Sequence, residues 1–228
     1  MSIKLKPLLP IFIGCILGVS HICAQEHYNK YYTHVISTEF LSDKRLEIQV
    51  DVENIDLHFL NAAVYHLTNI ERAKASLPVL GFYDKLYRSA SLHSEMMIKH
   101  DFFDHLNKNQ RQWREPSDRI FYFEDSYRAI AENIVENNLL DHEGSVLRYR
   151  TEYTSDGTLI YLDEQGALIA YANYLSIAKR LVLQWMNSPP HRANILDERF
   201  NLLGCVCAVD TQKIPVLIRC TQNFARME

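Results

Sequence analysis

Apolar residues recur at steps of three and four positions in several stretches of the chain, a spacing that places them on one face of a helix. The first long stretch covers residues 55–75 and the last covers 171–187. Between them, residues 84–99 repeat the pattern, with Asp84 as the predicted N-cap. A shorter helix is predicted over 117–123. The chain is therefore rich in amphipathic helices that need a common partner surface.

Two later parts of the chain alternate in the manner of β-strands. Residues 145–170 hold short β-branched and aromatic runs separated by turns that contain glycine, which predicts an inserted β-hairpin region. Two closing strands are predicted over 202–209 and 214–224, joined by residues 210–213. Because proline cannot donate to a ladder, Pro215 predicts that the last strand lies at a sheet edge or begins beyond the paired region.

The first 24 residues have the layout of a secretory signal peptide. Lys4 and Lys6 precede an apolar run over 8–19, and the segment ends on the small residue Ala24. The apolar run is shorter than the roughly 20 residues that a spanning helix needs, so no stable membrane span is expected after cleavage. We expect a secreted chain, and periplasm, cell surface and medium all fit this leader.

The remaining chain is predicted to form one domain behind a short extension. Residues 25–53 are polar, rich in tyrosine and weakly periodic, so we expect them to pack loosely. Residues 54–228 are long enough to bury one core. The formal net charge of −4 becomes −6 when Lys4 and Lys6 leave with the leader. A mildly acidic chain without a basic stripe argues against a nucleic-acid partner.

Three cysteines follow the leader, at positions 205, 207 and 220. Cys205 and Cys207 share one face of a predicted strand, and Cys220 lies on the strand expected to return beside it. One disulfide is therefore predicted, between Cys220 and either Cys205 or Cys207, with one spare thiol. The alternative is that all three are buried thiols. The Cys-x-Cys spacing alone does not indicate a zinc site.

The segment 185–196 combines the end of an amphipathic helix with a polar turn that carries an imidazole. Pro189 and Pro190 remove two backbone donors and restrict Ser188, so the helix is predicted to end near Asn187 and the chain to run extended toward His191. A rigid loop of this kind loses little entropy when it binds a ligand. The segment is typical of a binding site.

Three polar elements stand out: His105 after two phenylalanines, Glu132 within an apolar tetrad, and His191 after the prolines. Alone, each is more typical of packing or of a solvated surface. In order, they resemble the CAP superfamily (cysteine-rich secretory, antigen 5 and pathogenesis-related-1 proteins; SCP domain), in its bacterial secreted branch. The matching segments are Asn69-Ile70-Glu71-Arg72, Ala90, His93-Ser94, Met97, Phe102-Phe103-Asp104-His105, Arg119, Ala131-Glu132-Asn133-Ile134, 185–196, Gly204 and Gln222-Asn223-Phe224.

This resemblance implies an α+β fold, a three-layer α-β-α sandwich around a small antiparallel sheet. It also implies a cleft in which His105 and His191 supply imidazoles and Glu132 a carboxylate. Such a set suits a divalent cation, with zinc as the expected metal and His105 and His191 as its ligands. Ser188 stands near the place where eukaryotic members carry a second glutamate, so one anionic group is absent.

Other polar residues near the motifs are expected to hold the fold or the cleft. Asn133, Arg192 and Asn194 are predicted to fix the loops that orient the histidines, with direct ligand contact as the alternative. His93 is predicted to be a packed or capping imidazole. Three further residues are expected to be structural: Asn69, Arg72 and Trp185.

The preferred function is a secreted binding or interaction module whose cleft, formed by His105, Glu132, His191, Ser188, Asn133 and Arg192, takes a metal, a small-molecule or lipid-like ligand, or a protein, without turnover. The first alternative is a metal-dependent hydrolase of peptides or esters, with Glu132 as general base. No nucleophile motif supports that alternative. A second alternative makes the three residues a purely structural hydrogen-bond network.

Overall fold

The computed structural model describes residues 30–32, 36–142 and 148–227. The predicted signal peptide, residues 1–24, lies outside this range. Within the described parts, no helix has the length and apolar character needed to cross a membrane.

The described residues form six α-helices and seven strands. The helices are α1 (Ser37–Phe40), α2 (Leu57–Lys74), α3 (Asp84–Lys99), α4 (Pro116–Phe123), α5 (Tyr174–Asn187) and α6 (Pro189–Ile195). The strands are β1 (Gly81–Phe82), β2 (Ala129–Asn138), β3 (Arg150–Tyr153), β4 (Leu159–Leu162), β5 (Leu168–Ile169), β6 (Leu202–Asp210) and β7 (Leu217–Arg226). The predicted helices and strands are all present, with shifts at their ends.

The central sheet has the order β1-β6-β7-β2. Strands β6, β7 and β2 are antiparallel neighbours, and the short β1 runs parallel to β6. The insertion forms a separate three-stranded antiparallel sheet, β3-β4-β5, so it holds one strand more than a hairpin. Strand β7 lies between β6 and β2 and begins after Pro215. Of the two placements predicted for this proline, the structure therefore has the one before the paired region, not the one at a sheet edge.

Alternation along β7 assigns its side chains to two helical layers. Gln222 donates to Thr68 of α2 (2.7 Å), whereas Thr221 accepts from Ser94 of α3 (2.9 Å). Helices α2 and α5 thus cover one face of the sheet, and α3 covers the other. Trp185 is fully buried and donates to the carbonyl of Ile134 (2.9 Å). The α-β-α sandwich is confirmed.

The ends of two helices differ from their predictions. Asp84 is the first residue of α3 and Tyr83 is its N-cap, so the predicted cap is wrong; a carboxylate in the first turn still favours the helix dipole. Helix α5 begins at Tyr174, capped by Asn173, because the residues just before are drawn into bridges with other segments: Tyr171 pairs with Leu140.

The predicted loose packing of residues 25–53 is wrong for the part that the structure describes. Tyr31, Phe40, Leu46 and Val50 are buried in the main core. The ring of Phe40 stacks on His66 of α2 with centroids 4.4 Å apart. Single apolar anchors produce this packing, and they leave no periodic pattern in the sequence.

Segment 188–195 also corrects a prediction. The two prolines do not hold the chain extended: Pro189 and Pro190 open the short helix α6, and only Ser188 before them has an extended backbone. The first positions of a helix suit proline, because their N–H groups have no partner within the helix. His191 therefore lies on the first turn of a helix.

The disulfide joins Cys207 to Cys220, which are direct partners in the β6–β7 register. Cys205 is the free thiol, and burial raises its pKa. Arg72, also buried, donates to the carbonyls of Pro78 (2.8 Å) and Ile195 (2.7 Å), and so fulfils its predicted structural role. Asn69 also has the predicted structural role, because its amide donates to the Leu80 carbonyl and accepts from the Leu80 N–H.

Gly204 of β6 marks a close approach between the sheet and α3. A Cβ at this position would overlap the backbone of Leu86 and Tyr87, which cannot move without shifting the helix. We expect Gly204→Ala to lower the free energy of unfolding by about 2–3 kcal/mol through overpacking. Urea denaturation measures this loss of stability. Gly81→Ala is the control, because a Cβ at position 81 meets its nearest atoms at 3.6 Å. Equal stability of the two variants would contradict this packing.

Candidate functional site

Glu132 is the centre of the polar cluster. It lies on β2 with its side chain only 2% exposed. Arg119 Nη2 donates to both of its carboxylate oxygens at 2.9 Å. Oriented so that both of its amide atoms find partners, Asn223 donates to Oε2 (3.2 Å) from the paired position of β7. The carboxylate is thus held by donors on two sides.

The pKa of the Glu132 carboxyl is lowered. Burial acts to raise the pKa, but the hydrogen bond from His105 and the positive charge of Arg119 stabilise the anion more strongly. Glu132 is therefore ionised at neutral pH and has no proton to donate.

Arg119 links the parts of the site. The side chain is fully buried in α4, a helix that starts at Pro116 behind a capping box formed by Glu115 and Asp118. Besides Glu132, its guanidinium donates to the carbonyls of Trp113 and His105, each at 3.0 Å. One arginine thus fixes both the loop that carries His105 and the carboxylate that His105 contacts.

His105 presents an oriented imidazole to solvent. Its Nδ1 lies 2.9 Å from Glu132 Oε1, and its side chain is 41% exposed. An ionised carboxylate only accepts hydrogen bonds, so the neutral form of the ring carries its proton on Nδ1 and its lone pair on Nε2. The exposed edge of the ring is thus a ready acceptor or metal ligand.

His191 lies on α6, which packs against β2, the strand of Glu132. Partial burial lowers the pKa of its imidazole, and the charge of His105 acts in the same direction. Asn133 holds the backbone of this residue by donating to its carbonyl (3.1 Å). Asn194 in turn donates to Asn133 Oδ1 (2.8 Å). The predicted fixing role of both asparagines is confirmed.

Two other predicted cleft residues contribute less. Ser188 is the N-cap of α6, but its hydroxyl makes no capping hydrogen bond. Arg192 is exposed, and its side chain makes no hydrogen bond to any residue that the structure describes. The predicted loop-fixing role of Arg192 has no counterpart in this geometry.

His93 packs behind the carboxylate. It is fully buried on α3, with Nε2 3.1 Å from the carbonyl of Asp104 and 3.8 Å from Glu132 Oε1. Burial lowers the pKa of its imidazole to about 4, so the ring is neutral at neutral pH. The predicted packed imidazole is confirmed, but it belongs to the Glu132 cluster, which sequence reasoning did not anticipate.

The sequence indicates no partner for Glu132, and Arg119 matches the family without an assigned role. The only signal for Arg119 is an arginine beside the inward-facing Ile120 in a short amphipathic helix. Nothing local to Asn223 indicates its contact, because the β2–β7 register creates it. Both oxygens of Glu132 are already paired. In the described part of the chain, no three His, Cys, Asp or Glu side chains are grouped to hold a metal.

Residues 65–224 match the model of the Cysteine-rich secretory protein family, CAP. The chain belongs to this family. The match covers α3–α6, β1–β6, parts of α2 and β7, and every residue predicted for the cleft, so the resemblance read from the sequence motifs is confirmed. The CAP match also accounts for the layered fold described above.

Individual relatives are distant. The Uncharacterized protein YkwD of Bacillus subtilis is 27% identical over 141 residues, which is 62% of this chain. The chain spans only 39% of the length of that relative. An outer surface protein of Borrelia burgdorferi is similar in structure at 15% identity, with a TM-score of 0.51 over 80% of this chain and 99% of that one. At this identity the likeness shows the fold alone.

An extracellular SCP-domain protein of Bacillus anthracis is 21% identical and covers 73% of this chain and 40% of that protein, with a TM-score of 0.47.

Proposed function

We propose that this CAP-family chain is a secreted binding module whose ligand enters the cleft between His105 and His191 and is not turned over. One observation carries the proposal: the Glu132 carboxylate is committed to Arg119 and His105, so the accessible group of the cluster is the imidazole. A fixed, half-exposed ring with a free lone pair recognises a ligand without rearrangement.

The same contacts disfavour hydrolysis. A general base must reach the proton that it removes, either directly or through one water. Glu132 is 2% exposed, and its lowered pKa makes it a weak base. The alternative, a metal-dependent peptide or ester hydrolase, would need a different residue for this step.

A zinc ion is the ligand that suits the two imidazoles best. Zinc accepts imidazole nitrogen, and a carboxylate that accepts the other ring N–H of a ligating histidine orients the ring and raises its basicity. Glu132 stands in that relation to His105. When bound, zinc would supply open coordination positions for donors of a small-molecule, lipid-like or protein ligand.

The predicted leader favours a location outside the cytoplasm for this activity. The similar structure from Borrelia burgdorferi is described as an outer surface protein, which supports such a location.

Calorimetric titration with zinc chloride at neutral pH tests the proposal. We expect saturable binding by the wild-type protein and at least about tenfold weaker binding by His105→Ala and by His191→Ala. His58→Ala is the matched control, because His58 is an exposed histidine that contacts Tyr87 on a different helix. Wild-type protein that takes up no zinc, or cleft variants that bind as the wild type does, would overturn the metal role. Peptide or ester cleavage that disappears in Glu132→Gln would favour the hydrolase instead.

A further inference from the structure

A second concavity lies at the other end of the β2–β7 pair. It has a volume of about 450 Å³, within the usual range of small-molecule sites. Glu136, on its wall, follows Glu132 by four residues on β2, so the two carboxylates are about 13 Å apart along the strand. The residues that matter for its chemistry are Asp101, Glu136, Tyr149, Lys213, Ile214 and Arg219. We propose that this pocket binds a neutral saccharide.

The wall of the pocket is rigid and polar. Arg219 of β7 is 7% exposed in its side chain. Its guanidinium donates to Glu136 Oε2 (2.7 Å), to the carbonyl of Met97 (2.6 Å) and to Asp101 Oδ1 (3.3 Å). Three partners, on β2, on α3 and in the turn after α3, fix this side chain, so the carboxylates that it holds are pre-oriented.

The charges of the pocket are already paired, which selects for a neutral ligand. Lys213 contacts Asp101 Oδ2 at 2.7 Å, and Arg219 contacts Glu136, so two acids face two bases. An ionic ligand would have to displace one of these partners. A hydroxyl group donates to a free carboxylate lone pair and accepts from an ammonium group, and it breaks neither pair. The adjacent hydroxyls of a pyranose ring can each donate to a carboxylate or accept from an ammonium group in this way.

The rim supplies an apolar surface for the C–H face of such a ring. Ile214 is 57% exposed, and Tyr149 from the insertion is 37% exposed. The Tyr149 hydroxyl reaches the carbonyl of Ile214 (3.4 Å), which brings the two side chains to the same rim. A tyrosine ring offers a large contact area with few rotamers to order.

The side chain of Asp101, just after the end of α3, contributes a carboxylate to the pocket. It follows α3 with a φ of 48°, in the left-handed region that glycine adopts with less strain. A carboxylate at this position is turned toward Lys213 and Arg219. Its carboxylate oxygens thus line the pocket, although the left-handed backbone conformation at Asp101 is less favourable than it would be for glycine.

Titration of the isotope-labelled full chain, followed by the NMR shifts of its backbone amides, tests the proposal. The probes are glucose, mannose, galactose and N-acetylglucosamine, with acetate, phosphate and free lysine as charged comparisons. We expect saturable binding of at least one sugar, none of the charged probes, and amide shifts on β2 and β7 around Glu136 and Arg219.

Variants locate the binding. Tyr149→Ala and Lys213→Ala are expected to weaken it at least about tenfold. Tyr153→Ala in the same insertion and Lys108→Ala, an exposed lysine paired with Asp104, are matched controls that retain it. His105→Ala also retains it, which separates this pocket from the cleft. No sugar binding, tighter binding of a charged probe, or sugar binding unaffected by both pocket variants would overturn the proposal.

Discussion

Replacing Arg119 with methionine is expected to lower the free energy of unfolding by about 3–5 kcal/mol, because it leaves the Glu132 carboxylate buried without its charged partner. The guanidinium is fully buried and gives Glu132 two hydrogen bonds of 2.9 Å. The hydrogen bonds from His105 and Asn223 would then offset only part of the desolvation of the carboxylate. Chemical denaturation at neutral pH measures the loss.

The double variant Arg119→Met/Glu132→Gln separates unpaired charge from lost packing. It removes the buried charge, so it is expected to be more stable than Arg119→Met alone. Arg199→Met is the matched surface control: Arg199 pairs with Asp197 through the same kind of contact but is largely exposed, and little change is expected. An Arg119→Met protein as stable as the Arg199 variant would show that the cluster does not hold the fold.

Acidification is expected to destabilise the domain through His93. The pKa of this imidazole is lowered by burial to about 4, against about 6.5 in an unfolded chain. The unfolded state binds the proton first, so this contribution is complete above about pH 6.5 and is lost as the pH falls toward 4. The loss reaches about 3 kcal/mol over that range. Burial also lowers the pKa of His66, so protonation of this residue adds to the loss of stability at low pH.

His93→Gln tests this pH dependence. A glutamine amide can still donate to the carbonyl of Asp104, but it does not titrate. Urea denaturation from neutral pH down to about pH 4.5 should give a shallower decline for His93→Gln than for the wild type. His58→Gln, which changes an exposed histidine, should decline as the wild type does. Parallel curves for all three proteins would show that His93 is not the residue responsible.

Periodicity predicted the helices and strands because their burial is repetitive. It predicts helix α3 at its observed bounds, and the turns of the insertion predict its strands. Periodicity does not predict contacts made by single anchors. Phe40 and Val50 of the N-terminal segment are buried, although no repeating pattern surrounds them. The short helix at Pro189 was misread because proline both ends one helix and opens the next.

The cleft was only partly predictable for a related reason. His105, Glu132 and His191 carry side chains whose chemistry points to a site, and the fold brings His105 and Glu132 into contact. The partners of Glu132 are distant in sequence and are set by packing: Arg119 comes from α4, and Asn223 comes from the β2–β7 register. Those partners turn Glu132 from an expected ligand or base into a fixed anion that orients His105.

That conversion is the central claim, and imidazole nitrogen NMR tests it most directly. The neutral form of the His105 ring is expected to carry its proton on Nδ1, which contacts Glu132 Oε1. Addition of zinc should then shift Nε2 of His105 and a ring nitrogen of His191, while the ring of His93 stays unchanged. A neutral His105 ring with its proton on Nε2, or zinc that leaves the nitrogens of both cleft histidines unmoved, would contradict it.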